Sequence, residues 1–318
     1  MAVYVNTNYS ALQGQRYLGN VQNQLTTTYQ RLSSGMRINS AKDDAAGLQI
    51  ADRLTSQING LNQGNRNASD GIALAQTMEA GMDEISGMLQ KVRTLAVQAN
   101  NGTNTSDDRR AIGKEMEALV NEVNRIAQKT TFAGKTILNG KIAGSIFGDP
   151  AAGGANKGPA GEAGTLTLQV GSNKGDTISF TSNSVMFSKI GSGDLMGDAA
   201  GKVFKTSADG TITVTLTKAA TDTSATSIAA IVELMDSMIS KVDGARADLG
   251  ALQNRLESSI RNQSNVAANE ADARSRIRDA DFAEESANLS QQSIIQQAAA
   301  SMLMQANTRP QLGLSLLG

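Results

Sequence analysis

The sequence contains neither cysteine nor histidine, and these two absences exclude several kinds of chemistry. Without cysteine there is no disulfide bond and no thiolate nucleophile. Without histidine there is no side chain whose ordinary pKa lies near neutrality. Zinc sites of the Cys/His type and Ser-His-Asp machinery are excluded for the same reason. We therefore expect no catalytic residue, no metal and no cofactor.

Aromatic residues, net charge and long apolar runs are also scarce. Aromatics make up 3% of the chain and tryptophan is absent, so stacking platforms for bases or sugars are few. The 29 Lys and Arg residues balance 30 acidic residues, which disfavours binding to nucleic acid. No apolar run reaches the roughly 18 residues of a membrane span, and the first residues lack the apolar core of a secretory signal. This composition predicts a packing and assembly protein.

Long helices are predicted on both sides of a different middle region. Proline is absent from residues 1–149 and 160–309, which permits uninterrupted helices. Apolar residues recur at alternating steps of three and four, the pattern of coiled-coil seams. The three series are Ala75, Met78, Met82, Ile85, Leu89, Val92, Ala96 and Ala99; Ile112, Met116, Leu119, Val123 and Ile126; and Ile228, Ile231, Met235, Met238, Val242, Ala245, Leu249, Leu252 and Leu256. Asn100-Asn101-Gly102 predicts a turn between the first two helices, and Ser106-Asp107-Asp108 predicts the start of the second.

The middle region is rich in Gly, Ser and Thr, and it carries the alternation of short strands. Apolar and polar residues alternate over residues 166–170, 178–180 and 212–216, and Asp209-Gly210 predicts a tight turn before the last of these. The predicted fold is therefore mainly α, with long coiled-coil-like helices from both chain ends packed together and a small β-hairpin-rich middle. Glycines inside the predicted helices weaken them, because each one lowers helix stability by about 1 kcal/mol. These glycines are Gly60, Gly64, Gly71, Gly81 and Gly87.

The two ends of the chain, called the arms below, carry opposite charge. Residues 1–40 contain three arginines and no acid, whereas residues 279–318 contain four acids and one arginine. Each arm also has a narrow apolar stripe, and neither stripe is wide enough for an independent core. The stripes comprise Leu18, Val21, Leu25 and Leu32 in the first arm, and Leu289, Ile295, Ala299, Met302 and Ala306 in the second. We expect the arms to pair with each other and with other copies; the alternative is two solvated amphipathic helices.

Several segments resemble bacterial flagellin. Residues 31–47, RLSSGMRINSAKDDAAG, are closely similar to the N-terminal signature of that family. Further similarity lies in residues 67–71, 90–98, 271–274, 277–285 and 305–317. The resemblance covers about residues 1–140 and 228–318, in the order and spacing of the family.

This resemblance implies a structural subunit that is exported unfolded and polymerises into the helical flagellar filament, the propeller for swimming. It implies an inner coiled-coil domain (residues 1–43 and 278–318), a helical rod with a β-hairpin (44–181 and 228–277) and a small variable exposed region (182–227). The implied partners are other copies, hook-associated junction and cap proteins, the flagellar type III export apparatus and an export chaperone at the C-terminal arm. The implied location is the extracellular filament.

The resemblance also implies residues that contact neighbouring subunits, in the arms and in a spoke loop between arm and rod. They are Leu18, Val21, Leu25, Arg31, Leu32, Lys42, Asp43, Asp44, Glu284, Leu289, Ile295, Met302, Leu314, Leu316 and Leu317. Recognition by the flagellin-sensing Toll-like receptor of animal hosts is implied at Gln90, Lys91, Leu95 and Glu115. The family has Arg where this chain has Lys91, and Lys cannot form the planar bidentate contacts of Arg.

Three other functions compete with the filament subunit. A hook-filament junction protein is the nearest, but the unbroken 31–47 segment and the Leu-Ser-Leu-Leu of residues 314–317 favour flagellin. A coiled-coil signalling module of the chemoreceptor type would not carry the β middle. An enzyme is disfavoured by the missing His and Cys.

Charge pairing of the arms also predicts that Arg31→Glu and Arg37→Glu weaken assembly in a salt-dependent way.

Overall fold

A computed structural model describes residues 7–148, 163–191, 203–206, 211–216 and 228–315; the side chains of residues 206, 229 and 309–315 lie outside this description. Its helices are α1 (Tyr9–Ser34), α2 (Ala45–Ala99), α3 (Ser106–Lys129), α4 (Phe187–Ile190), α5 (Ile228–Arg278) and α6 (Phe282–Ser315). Its strands are β1 (Thr131–Phe132), β2 (Lys135–Thr136), β3 (Gly164–Gln169), β4 (Thr177–Ser182), β5 (Phe204–Thr206) and β6 (Ile212–Val214). The expected mainly α fold with small antiparallel strand pairs is confirmed. Among the described helices, none combines the length and apolar character that crossing a membrane requires.

The chain forms two compact units. The terminal unit comprises Met1–Asn59 and Asn265–Gly318, and the central unit comprises Gly60–Ser264. Helices α2 and α5 each contribute residues to both units. The division into inner domain, rod and variable region stays a prediction, and much of residues 182–227 lies outside the described residues.

The apolar series predicted from the sequence form the core of the central unit. Met78, Ile85 and Met235 are completely buried, and most other members of the three series are buried with them. On the outside of this core Asp83 forms an ion pair with Arg246 at 3.0 Å. These contacts, together with the Gln253 amide that donates to Glu79 at 3.0 Å, align α2 and α5 antiparallel in the central unit.

The turn after α2 leads into a capped α3. The expected turn at residues 100–102 is confirmed, and α3 starts at Ser106 as the sequence predicts, with the preceding Thr105 as its N-cap residue. The Asp108 N–H donates to the Thr105 hydroxyl oxygen, and the Thr105 N–H donates to the Asp108 carboxylate at 2.9 Å. This reciprocal arrangement satisfies two backbone groups at the start of the helix. The hydroxyl and the N–H of Thr105 together hold the pKa of Asp108 below its ordinary range.

We expect Thr105→Ala to lower the free energy of unfolding of the central unit by about 1 kcal/mol, the usual value for a lost N-cap. Because the folded pKa of Asp108 is lowered, its contribution is present above the ordinary pKa of aspartate and is lost as pH falls through the lowered value. Denaturant unfolding of wild type and variant at neutral and acidic pH measures both effects. Ser106→Ala, which keeps the capping pair, is the control. A deficit of equal size at acidic pH would contradict the coupling.

Short antiparallel hairpins pack on the helices of the central unit. Strands β3 and β4 form where the alternation predicts strands, and they pair with Leu166 opposite Phe180 and Leu168 opposite Ile178. Strand β6 is held by the Asn121 side chain of α3, which accepts from the Ile212 N–H at 2.8 Å and donates to the Ile212 carbonyl at 3.0 Å. The predicted turn at Asp209-Gly210 lies outside the described residues.

Glycines in α2 admit the β3–β4 hairpin close to the helix axis. A Cβ at Gly64 would overlap the Val170 carbonyl oxygen and lie 2.6 Å from the carbonyl carbon. A Cβ at Gly60 would lie 2.6 Å from the Cβ of Ser172. By contrast, a Cβ at Gly87 would meet nothing within 4 Å. Close packing therefore explains the glycines at positions 60 and 64, but it does not explain Gly87.

Candidate assembly interface of the terminal helices

Both ends of helix α1 are capped, and the N-cap residue Asn8 also contacts the other arm. The Asn8 side-chain oxygen accepts from the Ala11 N–H at 3.1 Å, and its amide donates to the Ala306 carbonyl of α6 at 2.7 Å. At the other end Gly35 takes φ +70°, which ends the helix in the left-handed conformation that glycine tolerates. The Gly35 carbonyl then accepts from the Ala280 N–H at 3.0 Å, between α5 and α6.

Polar contacts fix the antiparallel register of α1 and α6 within the chain. The Thr28 hydroxyl donates to the Gln292 side-chain oxygen at 3.1 Å, which joins the last third of α1 to the first third of α6. Towards the chain start, a Cβ at Gly14 would lie 3.2 Å from Leu303 Cδ1, so the leucine fills the space of the missing side chain. Such specific contacts select one register where small apolar residues alone would allow several. The expected pairing of the two arms is therefore observed.

An ion pair between Arg31 and Glu285 lies at the end of this seam. Arg31 Nη1 lies 3.0 Å from Glu285 Oε1, and the side chains are 31% and 8% exposed. The acidic residue that the sequence singled out was its neighbour Glu284, which is exposed. Because Glu285 is removed from water, it depends on Arg31 for compensation of its charge. This pair is the clearest electrostatic contact between the arms.

The loop between α1 and α2 is organised by two adjacent aspartates. The N–H groups of Ser40 and Asn39 donate to the Asp43 carboxylate at 2.9 and 3.1 Å, and they hold the pKa of Asp43 below its ordinary range. The Asp44 carboxylate instead accepts from the Ala46 and Gly47 N–H groups, which caps the start of α2. Lys42, Asp43 and Asp44 are all exposed.

Among the described residues, Arg37 contacts main-chain carbonyls and no acidic side chain. Its Nη2 donates to the Ile277 carbonyl at 2.7 Å, and its N–H donates to the Arg278 carbonyl at 2.7 Å. Both carbonyls lie in the last turn of α5, where a cation is favoured by the helix dipole. Arg31 therefore contacts α6 through an ion pair, whereas Arg37 contacts α5 through hydrogen bonds to the main chain. The sequence had suggested charge pairing between the arms for both.

The remaining predicted contact residues divide between the seam and the surface. Val21 is buried in the seam, and Leu18, Leu25, Leu32 and Leu289 are half-buried. Ile295 and Met302 are 39% and 67% exposed. The seam contains Leu303 and not Met302, the residue that the sequence pattern suggested. Leu303 lies four residues after the buried Ala299, on the same face of α6, and its side chain packs against Gly14. The Leu314 side chain, Leu316 and Leu317 lie outside the described residues.

Exposed apolar side chains are concentrated on the two arms. Of the twelve large hydrophobic residues that are exposed in the described part of the chain, nine lie on α1 or α6. They are Tyr9, Leu12, Tyr17, Tyr29, Phe282, Ile294, Ile295, Met302 and Met304. A groove of about 540 Å³ between the arms is lined by Tyr17, Ile295, Met302, Gln13 and small residues. Exposed apolar side chains that are concentrated in this way are typical of sites of association.

The predicted receptor residues lie in the central unit. Gln90 and Lys91 are exposed on α2, Leu95 is half-buried on the same helix, and Glu115 is exposed on α3. Within the residues described, no cluster of acidic side chains could hold a metal ion.

Comparison with known proteins identifies this arrangement. Residues 5–143 match the family description "Bacterial flagellin N-terminal helical region", and residues 232–317 match "Bacterial flagellin C-terminal helical region". The chain belongs to the bacterial flagellin family. It is 37% identical to flagellin B of Vibrio cholerae and 38% identical to flagellin A of Vibrio anguillarum, each over 100% of both chains. A solved structure of a flagellar hook-associated protein from Vibrio parahaemolyticus covers 74% of this chain and 100% of its own, at 14% identity and a TM-score of 0.51, which shows a shared fold alone.

Family membership confirms the class of function expected from the sequence. The chain is a structural subunit of the flagellar filament that serves motility, and it is not an enzyme. Flagellins polymerise with copies of themselves. The arms, with their exposed apolar residues, are therefore the first place to seek the contacts between copies.

Proposed function

We propose that the paired arms are the surface through which this flagellin polymerises into an extracellular filament. The observation that carries the proposal is the concentration of exposed aromatic and aliphatic side chains on α1 and α6. Within one chain the two helices bury a narrow seam and leave Tyr17, Ile294 and Met304 more than half exposed. Neighbouring copies that cover this surface supply the burial that a single pair of arms lacks.

The seam and the exposed face have different tasks in this proposal. The seam, with Thr28–Gln292 and Arg31–Glu285, sets the register of α1 against α6 within each subunit. The groove at Tyr17 and Met302 receives apolar side chains of the next copy. A contact that joins two different faces without closing into a ring generates an open helical polymer. The predicted spoke loop at residues 42–44 adds exposed charged groups to the same interface.

The finer features of assembly follow from the family resemblance. We propose an inner domain of residues 1–43 and 278–318, a rod of residues 44–181 and 228–277, and an exposed region of residues 182–227. Export unfolded through the flagellar type III apparatus suits arms that bury few side chains of their own. We further propose an export chaperone on the C-terminal arm, and hook-associated junction and cap proteins at the filament ends.

Recognition by the flagellin-sensing Toll-like receptor is the last proposal from the resemblance. Gln90, Lys91 and Glu115 are exposed in the single chain, which supports access to them before assembly. Lys91 offers a point charge in place of the planar guanidinium of the family, so the contact at this position is weaker than that of Arg.

Deletion of residues 1–35 or 285–318 should abolish polymerisation and leave the central unit folded. Each deletion removes one partner of the α1–α6 seam, whereas the core of the central unit contains neither segment. Electron microscopy and sedimentation measure the polymer, with and without a precipitating salt and filament seeds, and circular dichroism measures the retained helix. Filaments of native pitch from either truncated chain would refute the role of the arms.

A further inference from the structure

The sequence contains three Asn-Gly dipeptides, and the structure places them in three different environments. They are Asn59-Gly60 inside α2, Asn101-Gly102 in the turn between α2 and α3, and Asn139-Gly140 in the segment after β2. We infer that Asn101 is a site of spontaneous deamidation and isoaspartate formation, and that the fold protects the other two. This chemistry takes place within the turn and does not depend on how the chain assembles.

The reaction needs only the chain and water. The backbone nitrogen of the following residue attacks the side-chain amide carbon of Asn and closes a five-membered succinimide, and the side-chain nitrogen leaves as ammonia. Water then opens the ring at one of its two carbonyls, which gives aspartate or isoaspartate. Nothing is oxidised or reduced. Glycine in the following position favours the attack because it has no Cβ and rotates freely.

Asn101-Gly102 meets the requirements of this attack. Both residues are exposed, and a Cβ at Gly102 would meet nothing within 4 Å. Among the described residues the Gly102 N–H has no hydrogen-bond acceptor, so a base in solution can reach the proton that must leave. The Thr103 N–H is directed at Asn101 Oδ1 at 3.4 Å. A donor at this oxygen stabilises the negative charge that develops there when the nitrogen attacks.

The other two dipeptides lack these features for separate reasons. Asn59 lies within the regular backbone of α2, where the Gly60 N–H is engaged in the helix ladder and is turned away from the Asn59 side chain. Asn139 is 4% exposed, and its Oδ1 accepts from the Thr136 hydroxyl at 3.0 Å. Gly140 is buried as well, so neither base nor water reaches the reacting atoms without local opening.

Deamidation changes the turn that joins α2 and α3. It adds a negative charge seven residues before the acidic capping residue Asp108 of α3. The isoaspartate product also inserts a carbon into the main chain at residue 101. The Asn101 carbonyl accepts from the Asn104 N–H at 3.3 Å and from Arg109 Nη2 at 3.5 Å, so both contacts are disturbed.

One tryptic digest separates the three sites, because cleavage at Lys and Arg places them in the peptides 54–66, 94–109 and 136–141. The full-length chain is incubated in mildly alkaline buffer, sampled over time and digested in H2¹⁸O, so that deamidation during digestion carries ¹⁸O and is subtracted. Fragmentation spectra assign the modified residue within 94–109. A denatured sample in the same buffer reports the intrinsic rate at each dipeptide. Gly102→Ala and Asn101→Gln are the matched variants.

We expect the folded chain to react at Asn101 faster than at Asn59 or Asn139 by about tenfold or more, and the denatured chain to react at all three with similar rates. Gly102→Ala should slow the reaction at residue 101, and Asn101→Gln should remove it. Equal rates at the three sites in the folded chain, or no reaction at Asn101 while the denatured chain reacts, would overturn the inference. Polymerisation is not measured, so neither result bears on the assembly proposal.

Discussion

Filaments should be lost when Arg31 is replaced by Glu and should return in part when Glu285→Arg is added to the same chain. Reversing one charge leaves Glu285, whose side chain is 8% exposed, next to a second carboxylate. A fully buried pair loses about 3–5 kcal/mol when one partner is removed, and we expect about 2 kcal/mol here because the Arg31 side chain is 31% exposed. Helix α1 buries only Val21 and Thr28 among its described side chains, so little else compensates.

The charge-swapped double variant separates pairing from charge. Recovery should be partial, because Arg at position 285 lies in the first turn of α6, where the helix dipole favours an acid. Arg16→Glu makes the same charge change at an exposed position of α1 that has no ion pair among the described residues, and it should assemble. Sedimentation of polymer at several salt concentrations measures all four chains. If Arg31→Glu assembles like wild type, the pair does not hold the arms together.

Gly64→Ala and Gly87→Ala should change stability in opposite directions, although both sit in α2. At Gly64 the added Cβ overlaps the Val170 carbonyl oxygen, and the obstacle is backbone that must move with its hairpin. Overpacking destabilises by about 1–3 kcal/mol, whereas the higher helix propensity of Ala stabilises by about 1 kcal/mol. We therefore expect the free energy of unfolding to fall by about 2 kcal/mol at most. At Gly87 no atom obstructs the Cβ, and a gain of about 1 kcal/mol is expected.

Denaturant unfolding of the full chain, followed by circular dichroism, measures this pair of variants. The same substitution in the same helix controls for propensity, so the difference between the two reports the hairpin contact. Gly64→Ser is a second test, because its larger side chain should destabilise further at the same place. A stabilised Gly64→Ala chain would show that the hairpin does not pack on α2 as closely as the structure has it.

The core of the central unit was predictable from residue spacing. Met78, Ile85 and Met235 stand in unbroken three-four series, and that periodicity places them on one face of any helix that forms. The strands at Leu166 and Phe180 were predictable from alternation for a similar reason. Local chemistry was less decisive at helix ends, since Thr105, Ser106 and Asp107 are all good caps and only the backbone geometry selects Thr105.

The assembly surface was predictable as a pair of arms but not at each residue. Opposite charges on the two ends indicated pairing, yet Glu284 and Glu285 are adjacent and identical, and only the rotation of α6 buries the second. The same rotation turns Leu303 towards Gly14 and leaves Met302 exposed. Whether the exposed side chains meet the next subunit stays a prediction.

The sequence by itself determined the class of molecule: its missing His and Cys excluded most catalysis, its periodicity required long packed helices, and its motifs placed it among the flagellins. Tertiary structure alone decided which residues carry the contacts. The physical reason is that spacing specifies a face of a helix, whereas burial, register and the purpose of a glycine depend on the neighbour. The sequence alone does not distinguish Gly64 from Gly87, and they differ only because the hairpin packs beside Gly64.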